Sequence, residues 1–289
     1  MKANDLNADR IHKAAVLGAG TMGHGIAQVL AMTGIQTRLY DVDEGAVAKG
    51  LTKVRANLDK GVERGKVQPE ARDAALEQLS GTTDLARAIA DVDAVVEAVP
   101  EKLELKQTIF AELGTQLGPG VLLATNTSSL SITAIGEVTA HPERVVGMHF
   151  FNPVHIMKLV EVVRTEASSD RAVRTAKDLA LRMNKEPIEV ADAPGFASSR
   201  LGIAIGLEAI RMVAEDVASA EDIDKAMVLG YGHPMGPLKL TDLVGLDVRL
   251  AIADYLRKEL DHPGFEAPAL MRQMVADKKL GKKTGQGFY

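Results

Sequence analysis

The stretch Ala14-Ala15-Val16-Leu17-Gly18-Ala19-Gly20-Thr21-Met22-Gly23-His24-Gly25 decides the fold. An apolar strand runs into Gly-x-Gly-x-x-Gly, a helix follows, and Leu39-Tyr40-Asp41 closes the next strand. A dinucleotide site in an open α/β sheet has this order. Gly18 permits the tight turn, Gly20 lets the backbone approach a pyrophosphate, and Gly23 allows close strand–helix packing. Thr21 and Met22 complete the phosphate loop. Asp41 lies 18 residues beyond Gly23, near the distance at which a carboxylate accepts ribose hydroxyls. It would also repel a 2′-phosphate, so NAD is expected rather than NADP.

Outward from this stretch, short apolar runs alternate with helical ones, as parallel-sheet units do. A long helix is expected over Asp43 to Arg64, and Leu76 to Leu79 reads as part of another. Ala94 to Val99 is a buried strand ending on Pro100, and further strands are expected at Val121 to Asn126 and Val145 to Phe151. Ligands in such sheets gather beyond the carboxyl ends of the strands. Gly18–Gly23, Asp41, Pro100-Glu101 and Asn126–Ser128 should therefore converge. After Pro194-Gly195-Phe196 the pattern turns helical, with runs expected at Ala197 to Ala214, Ala220 to Leu229, Leu238 to Leu260 and Glu266 to Ala276. The reading is an α/β domain over residues 1–190 and an all-helical domain over residues 191–289, the latter contributing to the substrate site and to dimerisation. The glycine-rich run from Gly281 to Tyr289 is expected to fold back as a loop that brings Lys283 towards an anionic ligand.

Composition narrows the function classes. With 34 basic against 39 acidic residues, no long Lys/Arg block and only 3% aromatics, a nucleic-acid surface has little support. The chain has no cysteine, which removes disulfides, thiolate catalysis and Cys-ligated metals and suits a reducing compartment. The seven histidines are scattered, without His-x-x-x-His, so no metal site is expected. Met1 to Arg10 is polar, nothing after it resembles a signal-peptide core, and no apolar run spans a bilayer. A cytoplasmic protein is expected.

Three residues carry the candidate chemistry. His149 sits where the strand-like run to Phe151 meets a turn at Asn152 to His155, and a second extended run follows at Met157 to Val163. If the two runs lie side by side, Glu161 meets His149. A carboxylate on one imidazole nitrogen fixes the tautomer, leaves the other nitrogen as base, and supports the imidazolium that forms. The same pair also reads as an ordinary satisfied, partly buried contact. Ser128, in Asn126-Thr127-Ser128-Ser129, reads either as a donor to a reacting oxygen or as a helix N-cap. His24 is expected near the phosphate helix as a solvent-facing cap. Lys53, Lys60, Arg64 and Lys66 form either a phosphate-binding face or a solvated one.

The ordered set Ala124-Thr125-Asn126-Thr127-Ser128-Ser129-Leu130, Met148-His149-Phe150-Phe151-Asn152-Pro153, Pro194-Gly195-Phe196, His233-Pro234-Met235-Gly236-Pro237, Asp242 to Asp247 and Gly281 to Tyr289 resembles the L-3-hydroxyacyl-CoA dehydrogenase family, its bacterial 3-hydroxybutyryl-CoA dehydrogenases in particular. The resemblance covers essentially the whole chain. It implies a Rossmann-like domain followed by a helical, dimer-forming domain, and NAD-dependent, reversible oxidation of a 3-hydroxyacyl-CoA. His149 would then be the base, Glu161 its orienting partner and Ser128 the donor to the reacting oxygen near nicotinamide. Glu101, Lys106, Asn152 and Lys283 match positions that contact NAD, and Asp41 matches the ribose-binding acid. Asn57, Lys60 and Arg64 match the helix expected along CoA. One departure stands out: Ser199 occupies the position at which the family normally carries asparagine, so altered substrate placement is expected. Two other functions fit the same core. One is a dehydrogenase of a free hydroxy or sugar acid; the other is an NAD-binding protein without catalysis.

Overall fold

A computed structural model describes residues 6–289; of the polar stretch Met1–Arg10, residues 1–5 lie outside the description. The chain divides into two compact units, Met1–Asp192 and Ala193–Tyr289. In chain order the first unit holds β1 (Lys13–Leu17), α1 (Gly23–Ala31), β2 (Gln36–Tyr40), α2 (Glu44–Glu63), α3 (Pro69–Glu77), β3 (Leu79–Thr82), α4 (Leu85–Ile89), β4 (Ala94–Glu97) and α5 (Leu103–Gln116). It continues through β5 (Leu122–Thr125), α6 (Ile132–Gly136), β6 (Val145–Phe150), β7 (Leu159–Arg164), α7 (Asp170–Arg182) and β8 (Glu186–Ala191). The second unit holds α8 (Ser198–Ala214), α9 (Ala220–Lys225), α10 (Pro237–Val244), α11 (Leu246–Leu260) and α12 (Ala269–Ala276).

The strands form one sheet in the order β3-β2-β1-β4-β5-β6-β7-β8. Pairing is parallel from β3 through β6, and β7 then runs antiparallel to β6. The central strands are apolar on both faces because helices cover both: Val16, Val96, Ala124 and Val146 are all essentially inaccessible. The loops after β1, β2, β4 and β5 leave from one edge of this sheet, and they carry the candidate residues as expected.

Several expectations shift. Leu79 opens β3 rather than ending a helix, in register with Thr37 of β2. The strand's Leu-Ser-Gly-Thr sequence has no apolar alternation to reveal it. The run read as one helix from Leu238 to Leu260 is broken at Gly245, whose φ of 107° no helical residue adopts. The helix from Ala220 is α-helical only to Lys225 and continues as a single π turn over Ala226–Gly230. Helix α7 goes unread because charged residues separate its apolar ones, yet Ala172, Val173, Ala176, Leu179 and Ala180 form one buried stripe.

Candidate active site

Glycine chemistry builds the dinucleotide cleft. A Cβ on Gly23 would collide with the carbonyl of Gly18, and one on Gly18 would lie 2.6 Å from the carbonyl oxygen of Ala98. Gly18 also has φ 99°, and its N–H donates to the Tyr40 carbonyl at 2.7 Å. Loop, helix and neighbouring strand thus lock together. At Gly20 nothing lies within 4 Å of the Cβ position, so its backbone faces open space. Asp41 at the tip of β2 accepts from the N–H groups of Ala19 (2.8 Å) and Asp43 (3.3 Å), which aims its carboxylate along the cleft. Gly18, Gly20, Thr21, Met22 and Asp41 line this cleft of about 600 Å³, with Val99, Pro100 and Leu105 opposite. Bared backbone at a helix N-terminus, a held carboxylate and apolar walls fit a dinucleotide's phosphates, ribose and adenine. His24 is half-buried rather than solvent-facing: its Nδ1 lies 2.7 Å from the Gly20 carbonyl. Burial holds its pKa below the usual histidine range.

Beyond β4 and β5 lies a polar network that sequence reading resolved only in part. Lys106, expected as a cofactor contact, is wholly enclosed, and its ammonium donates to both oxygens of Glu97 at 2.7 and 2.9 Å. Glu97, also wholly enclosed, accepts as well from Thr125 Oγ1 and from the Val99 N–H, both at 2.6 Å. Lys106 lies 3.4 Å from Glu101 Oε2. Glu101 Oε1 in turn accepts from Thr127 Oγ1, from the Ser128 N–H (2.9 Å) and from Ser128 Oγ (3.3 Å). The lysine therefore holds Glu101 in place, and Glu101 holds the Ser128 loop. Glu97 escaped notice, although a carboxylate closing an apolar strand was its signal. The N-cap of α6 is Ser131 rather than the Asn126–Ser129 run. Asn126 accepts instead from the Phe150 N–H at 2.8 Å, fastening the Ser128 loop to β6.

The β6–β7 pairing puts His149 directly opposite Glu161. Gly147 makes the pair close, since a Cβ there would lie 2.7 Å from Val163 Cβ. Glu161 is fully buried, His149 is 7% exposed, and His149 Nδ1 lies 2.7 Å from Glu161 Oε2. The ring stacks at a tilt on Phe151, with centroids 4.5 Å apart. The contact engages Nδ1 with the carboxylate and fixes the orientation of the ring. The connecting turn begins at exposed Asn152 and is pinned by Lys185, whose ammonium donates to the carbonyls of Val154 and Met157. Burial lowers the pKa of that lysine. Nothing in its polar surroundings in sequence marked it.

The remaining candidates are more dispersed. Asn57 donates to Gln28 Oε1 at 3.1 Å, whereas Lys60 is exposed on the same face of α2 and Arg64, also exposed, is the residue that caps its C-terminus. In the second unit Ser199 is partly buried in the first turn of α8. Lys283 sits in a turn closed by pairing of Gly281 with Gln286, and it bonds Asp247. That bond holds the Asp247 carboxyl below the usual carboxylate range. Asp242 accepts from the N–H groups of Phe288 and Tyr289, both at 3.0 Å, and so fixes the tail that carries this turn. Among the described residues no group of three or more metal-ligating side chains forms, and no helix is long and apolar enough to cross a membrane.

Residues 13–193 match the family model for the 3-hydroxyacyl-CoA dehydrogenase NAD binding domain, and residues 195–289 match that for the C-terminal domain. The chain belongs to the 3-hydroxyacyl-CoA dehydrogenase family. A 3-hydroxybutyryl-CoA dehydrogenase of Mycobacterium tuberculosis is 42% identical over 284 residues, covering 98% of this chain and 99% of that one. A 3-hydroxyadipyl-CoA dehydrogenase of Escherichia coli is 42% identical over 280 residues, covering 96% of this chain and 59% of that one. The crystal structure of (S)-3-hydroxybutyryl-CoA dehydrogenase from Ralstonia eutropha superposes with a TM-score of 0.93 at 39% identity, covering 96% of this chain and 98% of that one. This 3-hydroxyacyl-CoA dehydrogenase is accordingly an NAD-dependent oxidoreductase acting on 3-hydroxyacyl-CoA.

Proposed function

We propose that the enzyme reversibly oxidises a short-chain L-3-hydroxyacyl-CoA of the 3-hydroxybutyryl-CoA type, with His149 as base. The observation that carries this reading is the buried 2.7 Å contact of His149 with Glu161 on the sheet edge that also bears the dinucleotide loop. Bound NAD supplies the acceptor for the hydride that leaves C3. His149 Nε2 takes the hydroxyl proton, Glu161 holds the ring and steadies its charge, and Ser128 donates to the oxygen as it becomes a carbonyl. In reverse the imidazolium returns the proton. Glu101 orients the Ser128 loop, and Lys106 supports Glu101 from beneath. Gly18–Gly23 and Asp41 bind the cofactor's phosphates and ribose, with Asn152 and Lys283 as further contacts. Lys60 and Arg64 receive phosphates of CoA beside Asn57, and Ser199 replaces an asparagine amide near the substrate oxygen. A homodimer is proposed from the apolar residues the second unit leaves exposed, among them Leu201, Leu229 and Tyr231. The cysteine-free composition suits the reducing cytoplasm.

The test is NADH-linked reduction of acetoacetyl-CoA compared with free acetoacetate and a panel of keto sugar acids. Turnover confined to the thioester is expected. Activity on the free acids alone would overturn the substrate assignment, and stoichiometric NADH binding without turnover of any substrate would overturn the catalytic one.

A further inference from the structure

Among the described residues, the charged side chains lining the dinucleotide cleft are Asp41 and Glu112, both acids. Asp41 is held by the backbone N–H groups around it. Glu112 comes from α5, where Leu105, Ile109 and Glu112 are spaced i, i+4, i+7 and so share the face turned to the cleft. Its Oε1 accepts from Gln116 Nε2 at 2.9 Å, one turn further along the helix, which steadies the carboxylate. Its Oε2 accepts from no described group, and no described cation pairs with it. The charge reaches into the cleft. Burial first, and then the charge of Glu112 ahead of those of Asp41 and Asp84, pushes the Tyr40 hydroxyl above its usual range.

The walls beside Glu112 are apolar. Leu85, Leu105 and Ile109 line the cleft there, and Val42, the residue after Asp41, is 82% exposed. Aliphatic walls with one placed polar group suit a planar base that buries its faces and offers an edge. In the adenosine half of a dinucleotide, the phosphates have the bared backbone of the glycine loop and the ribose has Asp41. The base remains, and the only N–H donors on adenine are those of its 6-amino group. We propose that Glu112 accepts from that amino group and makes the cleft selective for adenine over a purine with a 6-carbonyl. The assignment rests on the reading above that Asp41 takes the ribose. Both purines have the same outline and the same apolar faces, so the walls alone do not tell them apart. A 6-carbonyl turns an acceptor towards an acceptor-only carboxylate, whereas the amino group makes a charge-assisted bond with it.

The experiment titrates the enzyme with NADH and with reduced nicotinamide hypoxanthine dinucleotide, in which a carbonyl replaces the 6-amino group. The fluorescence of the bound reduced nicotinamide is followed without acyl-CoA, so binding is read apart from turnover. The native enzyme should bind NADH more tightly by about fivefold or more. Glu112→Ala should bring the two dissociation constants within about twofold of each other, chiefly by weakening NADH. Glu112→Gln, whose amide presents either a donor or an acceptor, should also level them, with a smaller loss for NADH. Glu112 is exposed, so both variants should keep the native melting temperature. Equal affinities in the native enzyme would overturn the assignment and leave the reading of the cleft standing. A native preference that survives Glu112→Ala would place the selection on another group and overturn it too. Binding of neither dinucleotide by the native enzyme would remove the reading of the cleft, and this assignment with it.

Discussion

His149 and Glu161 face each other across an antiparallel pair in which a one-residue slip would send one of them to the opposite side of the sheet. Glu161→Gln keeps the shape but removes the charge that stabilises the imidazolium, so kcat should fall on the order of 10²-fold while KM for NADH changes little. Unchanged kcat would reduce the carboxylate to a packing role. Glu97 is a different case, since no reacting group needs to touch it. Glu97→Ala leaves Lys106 charged and enclosed without its main partner, which should cost about 3–5 kcal/mol in denaturant unfolding. The double variant Glu97→Leu/Lys106→Met should recover much of that stability yet raise KM for NADH, because Glu101 and the Ser128 loop lose their support. Ser199→Asn, the reverse of the family departure, should shift acetoacetyl-CoA kinetics within about 1–3 kcal/mol. Identical kinetics would show that position 199 does not face the substrate.

At the scale of elements, the turn carrying Lys283 depends on the Asp247 ion pair and on Asp242. Because Lys283 holds the Asp247 carboxyl below its ordinary range, the pair contributes above the unfolded carboxylate pKa and is lost as pH falls through the lowered value. The pair is solvent-exposed, so its effect on global stability is small. Asp247→Asn should therefore lower the melting temperature slightly at neutral pH, with the difference vanishing as pH falls through the lowered carboxyl range; a difference that grew at low pH would contradict the linkage. The elements bearing the site were largely legible because their chemistry is local. Gly18–Gly23 must turn, β1 and β4 must be apolar, and Asn152-Pro153 must end a strand. What stayed hidden depended on partners distant in sequence. β3 exists because β2 offers it an edge, and Lys106 reads like any amphipathic helix lysine until Glu97 encloses it. The break at Gly245 likewise goes with packing of α10 on the tail: a Cβ at Gly281 or Gly287 would strike Asp242.

At the scale of the molecule, each unit has its own apolar core, one around the sheet and one around Ile203, Leu207, Leu238 and Leu256. The helical unit still exposes Leu229 at 81% and Tyr231 at 79%, more apolar surface than its own core requires. Light scattering should give twice the chain mass of 30.8 kDa at micromolar concentration, and a stable monomer would contradict the proposed dimer. The dinucleotide cleft and the His149–Glu161 pair both lie in the first unit, at different residues. Chemistry and cofactor binding should therefore separate in one variant. The most direct measurement is acetoacetyl-CoA reduction by His149→Ala, made alongside NADH titration of the same preparation. Turnover should fall by about 10²–10⁴-fold with NADH affinity within twofold of the native value. Native turnover in that variant would show that the proton leaves by another group.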